Sequence, residues 1–164
     1  MTDNIKLKGV VMEDFVNYKV PSMFLITSKC DWKCCRELGI DISICQNEPM
    51  AQQITKDISK ESIYKAYINN DITKAVVFGG LEPMLQFNEI FNVIQYFREQ
   101  VCNDTFVIYT GYYPQEIVTE LNHLRHFDNI IVKFGRYIPN RPSRYDDVLG
   151  ITLVSDNQYA ERIS

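Results

Sequence analysis

Four short apolar runs, separated by stretches of helical periodicity, decide what this chain can fold into. Ser22 to Thr27 carries Met23-Phe-Leu-Ile, apolar on both faces, and reads as a central parallel strand covered by helices. Ala75 to Phe78, Thr105 to Tyr109 and Asn129 to Lys133 repeat the pattern. Between them, Ser59 is a candidate N-cap with Glu61 in the first turn, and Ile63, Ala66 and Tyr67 recur at helical spacing until Asn69-Asn70-Asp71. Phe87, Ile90, Phe91, Ile94 and Phe97 form one stripe of a second helix that should run to Gln100. Pro114 suits the first position of a third helix, with Ile117, Leu121 and Leu124 as its apolar side. This alternation predicts an α/β fold, a parallel sheet with alternating helices joined by right-handed crossovers, open or curled into a partial barrel.

The flanks are less informative. Val10-Val11-Met12 and Phe15-Val16 suggest an edge strand or hairpin within Met1 to Lys19. Arg136 to Leu149 reads as an ordered loop anchored by Tyr137, Ile138 and Tyr145. Ile151 to Val154 reads as a last short strand, followed by Ser155-Asp-Asn-Gln158 and a polar tail. A length of 164 residues with 46% hydrophobic content suits one domain over 1–164, and no repeat or low-complexity tract divides it.

Composition narrows the function. No run approaches the roughly eighteen apolar residues of a membrane span, and the polar start Met1-Thr-Asp-Asn-Ile-Lys lacks the plan of a signal peptide. A cytoplasmic protein without a membrane partner is expected. Seventeen basic against twenty-one acidic side chains give no overall attraction to nucleic acid. Five cysteines are an odd number, and Cys30, Cys34, Cys35 and Cys45 crowd into one loop after the first strand. In a reducing compartment this favours metal or thiol chemistry over a disulfide framework.

Function in such sheets gathers at the C-terminal strand ends, and the unusual residues sit there: the cysteines, then Gly79-Gly80 with Glu82, Thr110-Gly111, Lys133 with Gly135, and Ser155-Asp156-Asn157. Adjacent cysteines such as Cys34 and Cys35 point apart in most backbone conformations, so one is a bystander. Cys30, Cys34 and Cys45 remain, with no histidine nearby, and three ligands suit a site with an open position. From these residues alone, buried small hydrophobes or an incidental zinc site stay open as alternatives. Glycine pairs at strand ends are often plain turns; beside thiols, Gly79 and Gly80 would let a ligand approach the backbone, and Glu82 held by Pro83 would face a cationic amine. Cys102 reads as a packing residue, and His123 and His126 as solvated groups at a helix end. Trp32, Tyr112 and Tyr113 would dock a partner or pack half-buried. Arg136, Arg141 and Arg144 would meet an acidic partner surface or water.

Cys30-x3-Cys34 after the first strand, Cys45-Gln46-Asn47, and Gly-Gly-Leu-Glu-Pro83 after the second resemble the radical SAM enzymes, whose usual pattern is C-x3-C-x2-C with a downstream G-G-E-P. Within them, Tyr109-Thr-Gly-Tyr112, Val132-Lys-Phe-Gly-Arg-Tyr-Ile-Pro139 and Ser155-Asp-Asn-Gln158 resemble segments of the small activating proteins of anaerobic (class III) ribonucleoside-triphosphate reductase, in the same order, over residues 16–160. The usual third cysteine would fall at Glu37. Cys45, followed by Gln46-Asn47, takes its place, with Cys35 as the other candidate and Arg36 to Ser43 as an inserted loop.

The resemblance implies a [4Fe-4S] cluster on Cys30, Cys34 and Cys45, with S-adenosylmethionine (SAM) on the open iron. It implies reductive cleavage of SAM and a 5′-deoxyadenosyl radical that takes hydrogen from a glycine of a large glycyl-radical reductase subunit, with flavodoxin or ferredoxin as electron donor. Gly79, Gly80, Glu82 and Pro83 would line the methionyl amine and Ile44 would pack near adenine. Thr110, Lys133, Ser155 and Asn157 would reach ribose or carboxylate. A radical SAM enzyme acting on a small molecule and a non-catalytic iron–sulfur or zinc module are the alternatives.

Overall fold

The computed structural model describes residues 3–45 and 47–164; Gln46 lies outside them. In chain order the elements are β1 (Asn4–Asp14), β2 (Ser22–Thr27), α1 (Lys33–Leu38), α2 (Glu48–Ala51), β3 (Lys56–Ser59), α3 (Lys60–Ile68), β4 (Ala75–Gly79), α4 (Phe87–Glu99), β5 (Thr105–Tyr109), α5 (Val118–Leu124), β6 (Ile130–Phe134), β7 (Arg144–Asp146), β8 (Ile151–Leu153) and β9 (Tyr159–Arg162). Seven strands form one sheet in the order β3-β1-β2-β4-β5-β6-β9, and β7 and β8 form a separate hairpin. The centre, β2-β4-β5-β6, is parallel, as the alternation predicts.

The sheet is nevertheless mixed. β1 runs antiparallel to β2, β3 antiparallel to β1, and β9 antiparallel to β6. The segment after Gln158 that reads as a polar tail is therefore partly strand: Tyr159 pairs with Phe134 and Ala160 with Lys133. Among the three antiparallel strands, only β1 was foreshadowed by an apolar run.

Helix ends follow their local chemistry. The Ser59 hydroxyl accepts the Ser62 N–H, as the capping signal requires, and α3 begins there. The stripe on α4 is buried at Ile90, Val93, Ile94 and Phe97, with the Phe97 ring packed 5.2 Å from Phe106 and 5.0 Å from Tyr64. Burying each such side chain is worth roughly 1.5–3 kcal/mol.

Strand periodicity then sorts the core. Met23, Leu25, Val76, Phe78, Phe106, Ile108, Ile130 and Val132 face α3, α4 and α5. Phe24, Ala75, Val77, Val107 and Ile131 face the other way and meet Tyr18, Leu149 and Leu153. Of the open and partial-barrel arrangements, the layering matches the second. The second face is covered by the β1–β2 connection and the β7–β8 hairpin, while α3, α4 and α5 form one outer layer, as on the outside of a (β/α) barrel. Register brings the parallel strands out at a common rim, with Ile26 opposite Gly79, Phe78 opposite Ile108 and Tyr109 opposite Lys133.

Candidate functional site

The cysteine loop leaves β2 stitched to its neighbour. Thr27 Oγ1 donates to the Gly79 carbonyl at 3.0 Å, Ser28 N–H donates to Gln86 Oε1 at 2.7 Å, and Glu82 N–H donates to the Lys29 carbonyl at 2.7 Å. Trp32 adopts a left-handed conformation (φ 56°), and its N–H points at Cys30 Sγ, 3.4 Å away. Helix α1, which carries Cys34 and Cys35, starts without a side-chain cap and ends at Gly39 (φ 63°). A single 3-10 turn, Ile42–Ile44, capped by Asp41, brings Cys45 back to the rim.

A cavity of about 170 Å³ opens there, with Cys30, Cys34 and Cys45 on its wall together with Glu82, Thr110 and Lys133. The Cys34 and Cys45 thiols lie close enough to shift each other's protonation. Cys35 is buried, with its sulfur 3.9 Å from that of Cys34, and belongs to a smaller apolar cavity shared with Cys34, Cys45, Ile44 and Tyr137. Among the described residues, no three His, Cys, Asp or Glu side chains gather closely enough to hold a single metal ion.

Charge in the cavity is unevenly matched. Glu82 is buried; its Oε1 accepts from Thr110 Oγ1 (2.7 Å) and Met84 N–H (2.9 Å), and its Oε2 from Gly111 N–H (2.8 Å). Burial pushes its carboxyl up, and all three donors oppose that by favouring the carboxylate. A carboxylate offers about four lone-pair positions, so roughly one remains open. Lys133 is also buried, donates to the Gly135 carbonyl at 3.1 Å, and lies 5.8 Å from the centre of the Tyr109 ring. Among the described residues it forms no ion pair. Burial lowers its ammonium to about 8, and the Glu82 charge opposes this. Burial raises the Cys30 thiol to about 11, while the Cys45 thiol lowers Cys34. The Cys34 thiol, with burial, pushes Cys45 up.

Other rim residues named from the sequence are engaged elsewhere. Gly80 lines the cavity, but both its left-handed backbone (φ 88°) and its crowding call for glycine there: a Cβ would lie 2.6 Å from Ile26 Cγ2. A Cβ on Gly79 would meet the Phe24 ring at 2.8 Å, so the space is filled by the protein itself. Pro83 is buried at the start of a 3-10 turn. Ile44 is half exposed beside the smaller cavity. Ser155 is fully buried, with the Ile138 N–H pointing at its hydroxyl. Asn157 donates to Tyr113 Oη at 2.9 Å and to the Arg136 carbonyl at 2.7 Å. Neither Ser155 nor Asn157 lines the cavity, because the segment leading into β9 crosses over Gly135 (φ 102°), whose missing Cβ would lie 3.0 Å from the Asn157 carbonyl oxygen.

Sequence reasoning gave no role to Gln158, which donates to the Gly135 carbonyl at 3.2 Å, and read Tyr112 as docking a partner or packing half-buried, whereas its hydroxyl donates to Asp31 at 2.6 Å. Both line the cavity. Arg136 is neither solvated nor free for a partner: its side chain is 13% exposed and bridges Glu37 and Glu116. His123 packs its ring against Phe87 and Phe91.

A family model described as a 4Fe-4S single cluster domain matches residues 21–151. The chain belongs to that family. No curated protein and no solved structure matches it. The matched span of this 4Fe-4S domain holds the whole parallel sheet and Cys30, Cys34 and Cys45. Those residues fit a cluster on chemistry this structure displays. Three thiols share one cavity wall, and the Trp32 backbone N–H is directed at one of them, Cys30. Such a donor favours thiolate over thiol and tunes cluster potential. Among the described residues, no helix of the 4Fe-4S domain is long and apolar enough to cross a membrane.

Proposed function

We propose that this 4Fe-4S domain is a radical SAM activase that generates a glycyl radical on an anaerobic ribonucleotide reductase. The observation that carries the reading is one cavity that combines three thiols with an unpaired buried ammonium and a carboxylate. When bound, the cluster and SAM would supply the radical chemistry, reductive cleavage of a carbon–sulfur bond, directed at a glycine of the partner. The chain's own part is to bind and orient. Cys30, Cys34 and Cys45 would hold the cluster through their thiolates. Lys133 pairs with the methionyl carboxylate, which relieves the cost of burying its charge. Glu82, fixed by Thr110 and Gly111, turns its remaining lone pair to the methionyl amine. Thr110 has its hydroxyl proton committed to Glu82, so it orients that group instead of touching ribose. Ile44 flanks adenine from the smaller cavity, and a large reductase subunit and a flavodoxin- or ferredoxin-type donor supply the substrate glycine and the electron.

The test uses anaerobically reconstituted protein, with iron and sulfide counted and the reduced form examined by EPR with and without SAM. About four irons per chain, a signal that shifts on adding SAM, and loss of that signal in Cys45→Ala but not in Cys35→Ala are expected. Stable zinc with no SAM response would refute the proposal.

A further inference from the structure

Helix α1 brings Cys34 to the cavity, yet its six-residue backbone alone cannot hold it there. Isolated helices of that length are not stable in water, and α1 has no side-chain N-cap. Asp31 accepts from the Lys33 N–H at 3.1 Å and lies 3.6 Å from the Arg36 guanidinium, and beyond that the helix is anchored by two charged side chains one turn apart on one face, Lys33 and Glu37. Lys33 pairs with Glu116, and Glu37 Oε2 lies 2.6 Å from Arg136 Nε. Arg136 closes the ring by donating through Nη1 to Glu116 Oε2 at 2.7 Å. The charges alternate in sign around that ring.

Arg136 is itself held from every side. Nη1 also donates to the Gly111 carbonyl at 3.1 Å, the guanidinium lies over the Tyr113 ring at 4.7 Å, and Asn157 anchors both the Arg136 carbonyl and the Tyr113 hydroxyl. Exposed ion pairs contribute little one at a time, but a network built on a mostly buried, multiply bonded arginine is the exception. We propose that Arg136 is the positioning residue of the thiol loop: through Glu37 directly, and through Glu116 and Lys33, it clamps α1 so that Cys34 faces the cavity shared with Cys30 and Cys45.

The inference rests on the cluster part of the proposed function and is independent of SAM. It gives Asn157 a role as well, as the support of the clamp.

The experiment measures iron release from reconstituted protein to excess ferrous chelator, for wild type, Arg136→Ala, Glu37→Gln and the double variant. Circular dichroism of the same samples reports the fold, and EPR of the reduced forms the cluster environment. Loss of such a support typically costs about tenfold or more in metal retention, so Arg136→Ala should release iron about that much faster, with an altered EPR line shape. Glu37→Gln should release iron several-fold faster, and the double variant no faster than Arg136→Ala, because both changes break the same link. Folded variants that keep the wild-type rate, or effects that multiply as independent ones do, would overturn the clamp. Should Arg136→Ala fail to fold, Glu37→Gln decides alone, and a wild-type rate overturns the proposal. A wild-type protein that takes up no cluster overturns the clamp and the proposed function together, whereas a retained cluster with unchanged rates removes the clamp only.

Discussion

Replacing Lys133 with methionine should strengthen the cluster-free fold and weaken ligand binding at once. The ammonium is buried with no carboxylate in contact, and burial brings it from the ordinary 10.5 to about 8. That gap corresponds to roughly 3 kcal/mol by which the folded state disfavours the charged form. The unfolded chain keeps its proton up to about pH 10.5 and the folded protein loses it near pH 8, so between these values the unfolded state binds more protons and stability rises with pH. Below pH 8 the full cost is present. Methionine fills a similar volume without charge, so Lys133→Met should be more stable at pH 7 by up to roughly 3 kcal/mol, and the advantage should vanish by pH 10.5. Urea unfolding of the cluster-free forms, followed by circular dichroism across pH 7 to 10.5, measures it. Equilibrium binding of SAM to the reconstituted forms should move the other way, weaker by about tenfold for one lost charged hydrogen bond. A variant less stable at pH 7, or an advantage that does not shrink with pH, would refute the reasoning about an unpaired buried charge.

Two further expectations concern the frame around the site. Gly80→Ala places a methyl 2.6 Å from Ile26 Cγ2 in a backbone at φ 88°, and should lower stability by roughly 1–3 kcal/mol in denaturant unfolding; an unchanged midpoint would mean the turn relaxes freely. Burial alone would push the Glu116 carboxyl up, but hydrogen bonds from Arg136, Lys33 and the Tyr113 N–H outweigh it and hold the group at about 2. Its contribution is therefore present above about pH 4.5 and lost as pH falls towards 2. Because the group is partly solvated, wild type should exceed Glu116→Gln by only about 1 kcal/mol at pH 6 and by almost nothing at pH 2. A difference that stays constant across that range would count against the ion-pair account.

The parallel strands and the helices α3 and α4 were legible because each is announced by its own residues. The apolar runs at Met23-Phe-Leu-Ile and Thr105–Tyr109, the stripe ending at Phe97 and the cap at Ser59 all reappear in the folded protein. β3 and β9 were not, since Lys56–Ser59 and Tyr159–Arg162 are short, half polar and become strands through partners distant in the chain. The site divides in the same way. Thiols at strand ends are visible as letters, but Ser155 and Asn157, placed on the rim by sequence order, turn away from the cavity when the chain crosses Gly135. Arg136 carries no local sign that two carboxylates enclose it.

By itself, the sequence determined the α/β alternation, the rim at which chemistry collects and the thiol loop, because hydrophobic period and cysteine spacing are properties of neighbouring residues. Tertiary structure decided the rest: that α3, α4 and α5 share one face, that Cys35 is excluded from the larger cavity, that Lys133 is buried without an ion-pair partner among the described residues, and that α1 is held by charges from other loops. These depend on which distant groups meet and how much water they exclude, and burial and pairing of charge arise only when the chain has closed on itself.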